Sequence, residues 1–158
     1  LGVRLILFYT EAKSPSGTLP FCSNESFNPA KPWRVMVTVL VVEDSRTQRE
    51  MISGFLQQKG LQVTQASDGI EALKQIAAHR PDLVVMDIVM PRMNGYECCR
   101  RLKSNPDTQN VPVVMCSSKQ EEFDRYWGLK QGADAYITKP FHPSELVQIL
   151  KRLLKKQG

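Results

Sequence analysis

The stretch 83-LVVMDIVMPRMNG-95 decides the fold of this chain. Its first residues, 83–86, are all apolar and end at one carboxylate, Asp87. A short uninterrupted apolar run is typical of a strand that is buried on both faces in a parallel sheet. Pro91 has no N–H to give to a sheet ladder, so the strand ends before it. Asp87 is therefore expected at the carboxyl end of a central strand, which is the edge where ligands bind in open α/β sheets.

Composition and cysteine use are those of an ordinary globular protein. The 158 residues give one domain room for a good core, and the apolar content of 42% excludes a disordered chain. The net charge is +5, but the basic residues are spread along the chain, which disfavours nucleic-acid binding. The four cysteines lack zinc-ligand spacing, so reduced thiols of a cytoplasmic protein are expected. No apolar run approaches the ~18 residues of a membrane helix.

Strands and helices alternate after a first segment without periodicity. Residues 1–34 hold four of the ten prolines and are interpreted as a poorly ordered extension. Five strand–helix units follow, which predicts a parallel sheet with helices on both faces. Besides the strand that ends at Asp87, the predicted strands are residues 35–42, 61–66, 111–116 and 133–138, and two of the predicted helices are residues 95–104 and 120–131.

Two of the helices carry local patterns of their own. The first helix would place four apolar residues on one face, namely Met51, Ile52, Phe55 and Leu56. At the second helix, Asp68 and Glu71 form a capping-box pattern, in which each side chain satisfies a backbone N–H at the start of the helix.

Five polar residues end four of the predicted strands: Glu43, Asp44, Asp87, Ser117 and Lys139. Right-handed crossovers bring the carboxyl ends of all strands to one edge, so these residues should meet there. Three carboxylates that close repel one another, and Mg²⁺ would remove that cost. A lysine, a hydroxyl and a metal around a free carboxylate describe a phosphoryl-accepting site with Asp87 as nucleophile. Taken singly, the same residues are more often helix caps, strand caps and surface charges.

The chain from residue 35 to 156 resembles the receiver domain of two-component response regulators, the CheY-like fold. The matching segments are VVED, VVMDIVMPRMNG, PVVMCSS and ADAYITKPF. The resemblance implies a flavodoxin-like (βα)5 fold with three α/β/α layers and strand order 2-1-3-4-5. It also implies a cis peptide bond between Lys139 and Pro140.

The same resemblance assigns the site residues. Asp87 would accept a phosphoryl group from a histidine kinase or a small phosphodonor, and Ser117 and Lys139 would contact that group. Mg²⁺ would be held by Glu43, Asp44, Asp87 and the backbone carbonyl of Val89. The domain would not be an enzyme in the usual sense, since it would catalyse only its own phosphorylation and dephosphorylation.

The resemblance further implies a switch. Phosphorylation would draw Ser117 toward the phosphoryl group, and Tyr136 would turn inward. Judged by itself, Tyr136 is more simply a strand aromatic with its hydroxyl in water. The face of the fourth helix, last strand and last helix would control a protein partner. Tyr126, Trp127 and Lys130 lie on or near it, although Trp127 suits the core equally well.

Two side chains bear on the lifetime of the phosphorylated state. In the family, the residues two positions past the phosphoacceptor and two past the switch hydroxyl influence hydrolysis. Here these are Val89 and Lys119. An apolar Val89 offers no hydrogen bond to an attacking water, so we expect slow self-hydrolysis.

Output and alternative functions follow from what surrounds these motifs. We expect a stand-alone cytoplasmic receiver that acts through protein–protein contact, without nucleic acid or membrane. Its segment from residue 124 to 141 looks most like receivers of pilus and phototaxis systems, so its target could belong to motility or chemotaxis-like machinery. A haloacid-dehalogenase-type phosphatase would need an Asp at Val89. A flavin-binding flavodoxin-like protein would need a phosphate loop where EDSRTQRE stands.

Overall fold

The computed structural model describes residues 36–118 and 122–156, without the side chain of Glu122. The predicted extension at residues 1–34, and Lys119, lie outside the described residues. Strands and helices alternate throughout the described part. The elements are β1 (Thr38–Val42), α1 (Arg46–Gln58), β2 (Gln62–Ala66), α2 (Gly69–Ala78), β3 (Leu83–Asp87), α3 (Gly95–Ser104), β4 (Val113–Ser117), α4 (Glu122–Lys130), β5 (Ala135–Thr138) and α5 (Pro143–Lys155).

The five strands form one parallel sheet in the order β2-β1-β3-β4-β5. The predicted flavodoxin-like fold is therefore confirmed. Asp87 is the last residue of β3 and pairs with Cys116 of β4. Strands β1, β2, β4 and β5 begin one to three residues later than predicted, while their carboxyl ends lie within one residue of the predicted ends. The register that matters for the site was thus predictable, because polar residues mark the carboxyl ends.

The sheet has a core on each face. Successive residues of a strand point to opposite faces. Leu40 and Met86 belong to the core packed under α2 and α3, whereas Val39 and Val85 belong to the core packed under α1 and α5. Full burial of such a side chain is worth about 1.5–3 kcal/mol. Strand β3, at the centre of the sheet, and its neighbour β4 are buried at every position. Their carboxyl ends form part of the edge where the site lies.

Local details of two helices differ from the predictions. Met51 is 64% exposed, so the predicted apolar face of α1 was wrong at this residue. Ile52 and Leu56 are buried and Phe55 packs against the same core, as predicted. Asp68 caps α2 as predicted, accepting hydrogen bonds from the N–H groups of Ile70 and Glu71. Glu71 departs from the capping box because its carboxylate accepts from Ser67, one residue before the cap.

Three cysteines lie in the described residues, and all three are free and buried: Cys98, Cys99 and Cys116. Burial raises the pKa of the Cys98 and Cys99 thiols to about 12. These thiols therefore stay uncharged near neutral pH. Across residues 36–118 and 122–156, every helix is too short or too polar to cross a membrane.

Candidate functional site

The carboxyl edge of the sheet brings four of the predicted polar residues into one cluster. The Lys139 ammonium lies 2.9 Å from Asp87 Oδ1 and 2.5 Å from Glu43 Oε2. Both carboxylates are buried, with side-chain exposures of 9% and 3%. Asp44, the neighbour of Glu43, is exposed and completes a group of three carboxylates. Residues that are as much as 96 positions apart in sequence therefore share one small charged site.

The backbone after β5 directs Lys139 into the site. The Lys139 N–H donates to the carbonyl oxygen of Ser117 at 2.7 Å. The peptide bond between Lys139 and Pro140 is cis, as the resemblance to receiver domains implied. The hydrogen bond to Ser117 holds the chain where it leaves the sheet, and the Lys139 ammonium reaches the carboxylates at the ends of β1 and β3.

The electrostatics of the site favour the binding of a cation. Burial raises the pKa of Glu43; the hydrogen bond and the charge of Lys139 oppose this, and the nearby charge of Asp87 adds to it. Burial works against the charge on Lys139, but its hydrogen bonds and charge interactions with Glu43 and Asp87 outweigh burial and raise the pKa of Lys139. Three carboxylates facing one ammonium leave the cluster with excess negative charge when all are ionised.

The three carboxylates are spaced as a cation would need. Glu43, Asp44 and Asp87 each offer one oxygen, and these oxygens lie within 4.8 Å of one another. The exposure of Asp44 leaves one side of the group open to water. Mg²⁺ is bound through few carboxylates and keeps several waters, so this donor set fits it.

The loop between β3 and α3 is held tightly against the site. A Cβ atom on Gly95 would lie 2.2 Å from the carbonyl oxygen of Asp87, so only glycine lets α3 start this close to the strand end. Arg92 adopts a positive φ of 65° and forms an ion pair with the buried Asp68. Val89 lies in this loop, and its side chain is 57% exposed.

Ser117 and Tyr136, the two residues predicted to form a switch, lie on the neighbouring strands β4 and β5. Ser117 ends β4, directly after the residue that pairs with Asp87, and it is fully buried. Tyr136 of β5 is half-buried and packs against the core under α2 and α3. A Cβ atom on Gly128 of α4 would lie 3.1 Å from the Tyr136 ring, so this aromatic lies directly beneath α4.

Sequence reasoning missed two side chains at the site, both on the first turns of α1. The Gln48 side-chain carbonyl accepts a hydrogen bond from the Lys139 ammonium at 3.0 Å. The Arg49 guanidinium donates to the backbone carbonyl of Glu43 at 2.6 Å and to that of Asp44 at 3.3 Å. Arg49 thereby supports the loop that carries the acidic pair. Its position one helical turn past that pair was the signal that could have indicated it.

The face of α4 is apolar and open. Four large side chains on it are exposed by 44% or more: Phe123, Tyr126, Trp127 and Leu129. The Phe123 and Trp127 rings stack with their centroids 6.2 Å apart. Trp127 is therefore a surface residue, and the alternative that placed it in the core was wrong.

Comparison with known proteins agrees with the fold. The family model of the response regulator receiver domain matches residues 39–151. The phosphate regulon transcriptional regulatory protein PhoB of Pseudomonas aeruginosa is 40% identical over 121 residues, which are 77% of this chain and 53% of that protein. The response regulator MprA of Mycobacterium ulcerans is 41% identical over 120 residues, 76% of this chain and 51% of that protein. The chain thus spans about half the length of the curated relatives it matches.

Solved structures give the same result. A receiver domain of a signal transduction histidine kinase from Syntrophus aciditrophicus has a TM-score of 0.72 at 38% identity, covering 76% of this chain and 91% of that one. The chemotaxis response regulator CheY4 of Vibrio cholerae has a TM-score of 0.71 at 33% identity, covering 75% of this chain and 98% of that one. The chain therefore belongs to the family of response regulator receiver domains, the phosphorylation switches of two-component signalling.

Proposed function

We propose that Asp87 is the phosphoacceptor and that a histidine kinase is its phosphodonor, with small acyl phosphates as substitutes. The observation that carries this proposal is the contact between a buried carboxylate and a partly buried ammonium at the carboxyl edge, Asp87 Oδ1 and Lys139 Nζ at 2.9 Å. Transfer of a phosphoryl group depends on positioning and charge neutralisation more than on bond-making by the protein. This pair supplies both, since one member is the nucleophile and the other a fixed positive charge.

The reaction balances without an additional reactant. A carboxylate oxygen of Asp87 attacks phosphorus, and the bond from phosphorus to the imidazole nitrogen of the kinase breaks. The electron pair of that bond returns to the imidazole, and Asp87 becomes an acyl phosphate. The Lys139 ammonium faces the negative charge that gathers on the phosphoryl oxygens. In the product, the Ser117 hydroxyl would donate to one of those oxygens.

Glu43, Asp44 and Asp87 would hold Mg²⁺ together with the backbone carbonyl of Val89. When bound, the ion would neutralise charge on the phosphoryl group and help to orient it. The spacing of the three carboxylates and the excess negative charge of the cluster support this assignment. Arg49 would contribute by keeping the loop of Glu43 and Asp44 in place.

The switch would run from Ser117 through Tyr136 to the face formed by α4, β5 and α5. The closeness of Tyr136 to α4 supports this route, because turning the ring would change the support beneath that helix. The exposed apolar side chains of α4 suit a protein partner. Dephosphorylation would be slow, since the apolar Val89 cannot orient a water. The stand-alone organisation, the cytoplasmic location and the domain limits of 35–156 stay predictions.

The two alternative functions have no support. A haloacid-dehalogenase-type phosphatase would require a second carboxylate at position 89, where valine stands. A flavodoxin-like flavin protein would require a neutral phosphate loop after β1, where the structure has the acidic pair and the start of α1.

Intact-mass measurement after incubation with acetyl phosphate and Mg²⁺ tests the proposal. We expect the wild type to gain one phosphoryl group and Asp87→Asn to gain none. Asp107→Asn, which changes an exposed aspartate away from the site, is the matched control and should behave like the wild type. A phosphoryl gain of equal size in Asp87→Asn would refute the assignment.

A further inference from the structure

All three protons of the Lys139 ammonium are in use in this structure. A lysine ammonium has three N–H donors and no acceptor. Its partners here are Glu43 Oε2 at 2.5 Å, Asp87 Oδ1 at 2.9 Å and Gln48 Oε1 at 3.0 Å. A phosphoryl oxygen that arrives at Asp87 must therefore take the place of one of these three acceptors.

Gln48 is the acceptor that is easiest to displace. The bonds to Glu43 and Asp87 join opposite charges, and both carboxylates are buried. Hydrogen bonds between two charged groups are shorter and stronger than those to a neutral amide. Gln48 is neutral and exposed, so water can replace what its carbonyl loses.

Gln48 also has a second possible hydrogen-bond donor in the first turn of its own helix, the backbone N–H of Ser45. Ser45 caps α1, and Gln48 is the third residue after it, which is the spacing of a capping box. In that motif the glutamine side chain would accept from the Ser45 N–H. Here the Ser45 N–H donates instead to Glu43 Oε1 at 3.2 Å and to Asp44 Oδ1 at 2.9 Å.

The two carboxylates that occupy the Ser45 N–H are two of those proposed to hold Mg²⁺. If they turn toward a cation, the Ser45 N–H loses its partners and becomes available to Gln48. The Gln48 carbonyl therefore has one partner for each state of the site, Lys139 before loading and Ser45 after it.

We propose that Gln48 is a positioning residue for phosphoryl transfer, which holds the Lys139 ammonium in the resting site and moves to the Ser45 N–H when the site is loaded. This inference rests on the proposed role of Asp87 as phosphoacceptor. Gln48 touches neither the phosphorus nor the nucleophile, and it acts through Lys139. Its bond to the charged Lys139 ammonium in the resting site is stronger than its bond to the neutral Ser45 N–H in the loaded site, so Gln48 slows loading of the site.

Rates of phosphorylation by acetyl phosphate test the first half of the inference. Gln48→Ala loses the bond to the Lys139 ammonium in the resting site and the weaker bond to the Ser45 N–H in the loaded site. At Mg²⁺ concentrations that leave most sites in the resting state, we therefore expect phosphorylation to be about 2- to 5-fold faster, the excess of a charge-assisted hydrogen bond over a neutral one. Gln48→Glu provides a charged acceptor that competes harder for Lys139, and should be slower than the wild type. Gln57→Ala, an equally exposed glutamine on the same helix, should match the wild type.

Nuclear magnetic resonance of the Gln48 side-chain amide tests the second half without any turnover. The resonance is identified by its absence from the spectrum of Gln48→Ala. Titration of the wild type with Mg²⁺ alone should shift it, while the Gln57 side-chain amide should stay in place. A Gln48 resonance that is unmoved at saturating Mg²⁺ overturns the inference.

The outcomes separate this inference from the function on which it rests. If the wild type is phosphorylated and Gln48→Ala reacts at the rate of Gln57→Ala or more slowly, only the role of Gln48 is overturned. If the wild type is not phosphorylated at all, the role of Asp87 fails, and the role of Gln48 fails with it. Faster reaction of Gln48→Ala together with the Mg²⁺-dependent shift supports the inference.

Discussion

Charged side chains are usually exposed and large apolar side chains are usually buried. The carboxyl edge of the sheet departs from the first rule, and the face of α4 departs from the second. At the edge, charged groups are buried: Glu43 and Asp87 are 2% and 7% exposed. On α4, large apolar groups are exposed, with Phe123 at 68% and Trp127 at 46%. Buried charge is costly unless it is paired, and exposed apolar surface marks an interaction site. In the proposed switch, Ser117 and Tyr136 connect the two regions.

The largest effect on the phosphorylation rate is expected at Lys139, in the buried charged cluster of the carboxyl edge. Lys139→Met keeps the unbranched stem and removes the charge that faces both buried carboxylates. Loss of one preorganised electrostatic contact costs about 100-fold in rate, so phosphorylation by acetyl phosphate should slow by about that factor. The measurement is a time course of intact mass.

Lys130→Met is the matched control for that prediction. Lys130 lies at the end of α4, exposed, with its ammonium 5.4 Å from the Tyr126 ring centre. Its removal should leave the phosphorylation rate unchanged. Similar rates for both variants would show that the charge of Lys139 is not used in the reaction.

A smaller effect, on stability, is expected at Glu43. Because the pKa of Glu43 is raised above 4.5, the native state binds more protons than the unfolded chain in the window above that pH. Stability without Mg²⁺ should therefore fall as pH rises through this window. Glu43→Gln removes that loss, and we expect it to raise the free energy of unfolding and the Tm at pH 7.

Thermal unfolding of Glu43→Gln at pH 4 and pH 7, without Mg²⁺, measures this. Glu50→Gln alters an exposed ion pair on α1 and should change stability by less than about 0.5 kcal/mol. Destabilisation of Glu43→Gln at pH 7 would mean that its pairing with Lys139 outweighs both its burial and the repulsion from Asp87.

The smallest effect is expected on α4. Trp127 stacks on Phe123 but is 46% exposed, so Trp127→Ala should lower the free energy of unfolding by less than about 1 kcal/mol, against about 3–5 kcal/mol for a buried aromatic. Leu150→Ala on α5, where the leucine is 2% exposed, is the contrast and should cost about 2–5 kcal/mol. Urea denaturation measures both, and a loss above 2 kcal/mol in Trp127→Ala would place this side chain in the core.

Much of the site could be predicted because its charged and hydroxyl residues mark the carboxyl ends of apolar strands. Asp87, Ser117 and Lys139 each stand at or just past a strand end, and parallel strands with right-handed crossovers bring such ends together. Met51 was misplaced for the opposite reason. Its apolar character suggested the buried face of α1, but one residue is about 100° of helix turn, and this was enough to carry it into solvent.

Sequence alone determined the alternation of strands and helices, the strand order implied by the family motifs, and the set of polar residues at the carboxyl edge. The alternation and the set of polar residues follow from local periodicity and chain connectivity, whereas the strand order follows from the family resemblance. Only the tertiary structure decided which acceptor each donor uses: Gln48 reaches Lys139 rather than Ser45, and Arg92 reaches Asp68. Such choices depend on distances between segments that are 24 and 91 residues apart in sequence, and no local pattern encodes them. The exposure of Trp127 was decided in the same way, because α4 packs on the sheet through the side that carries Gly128.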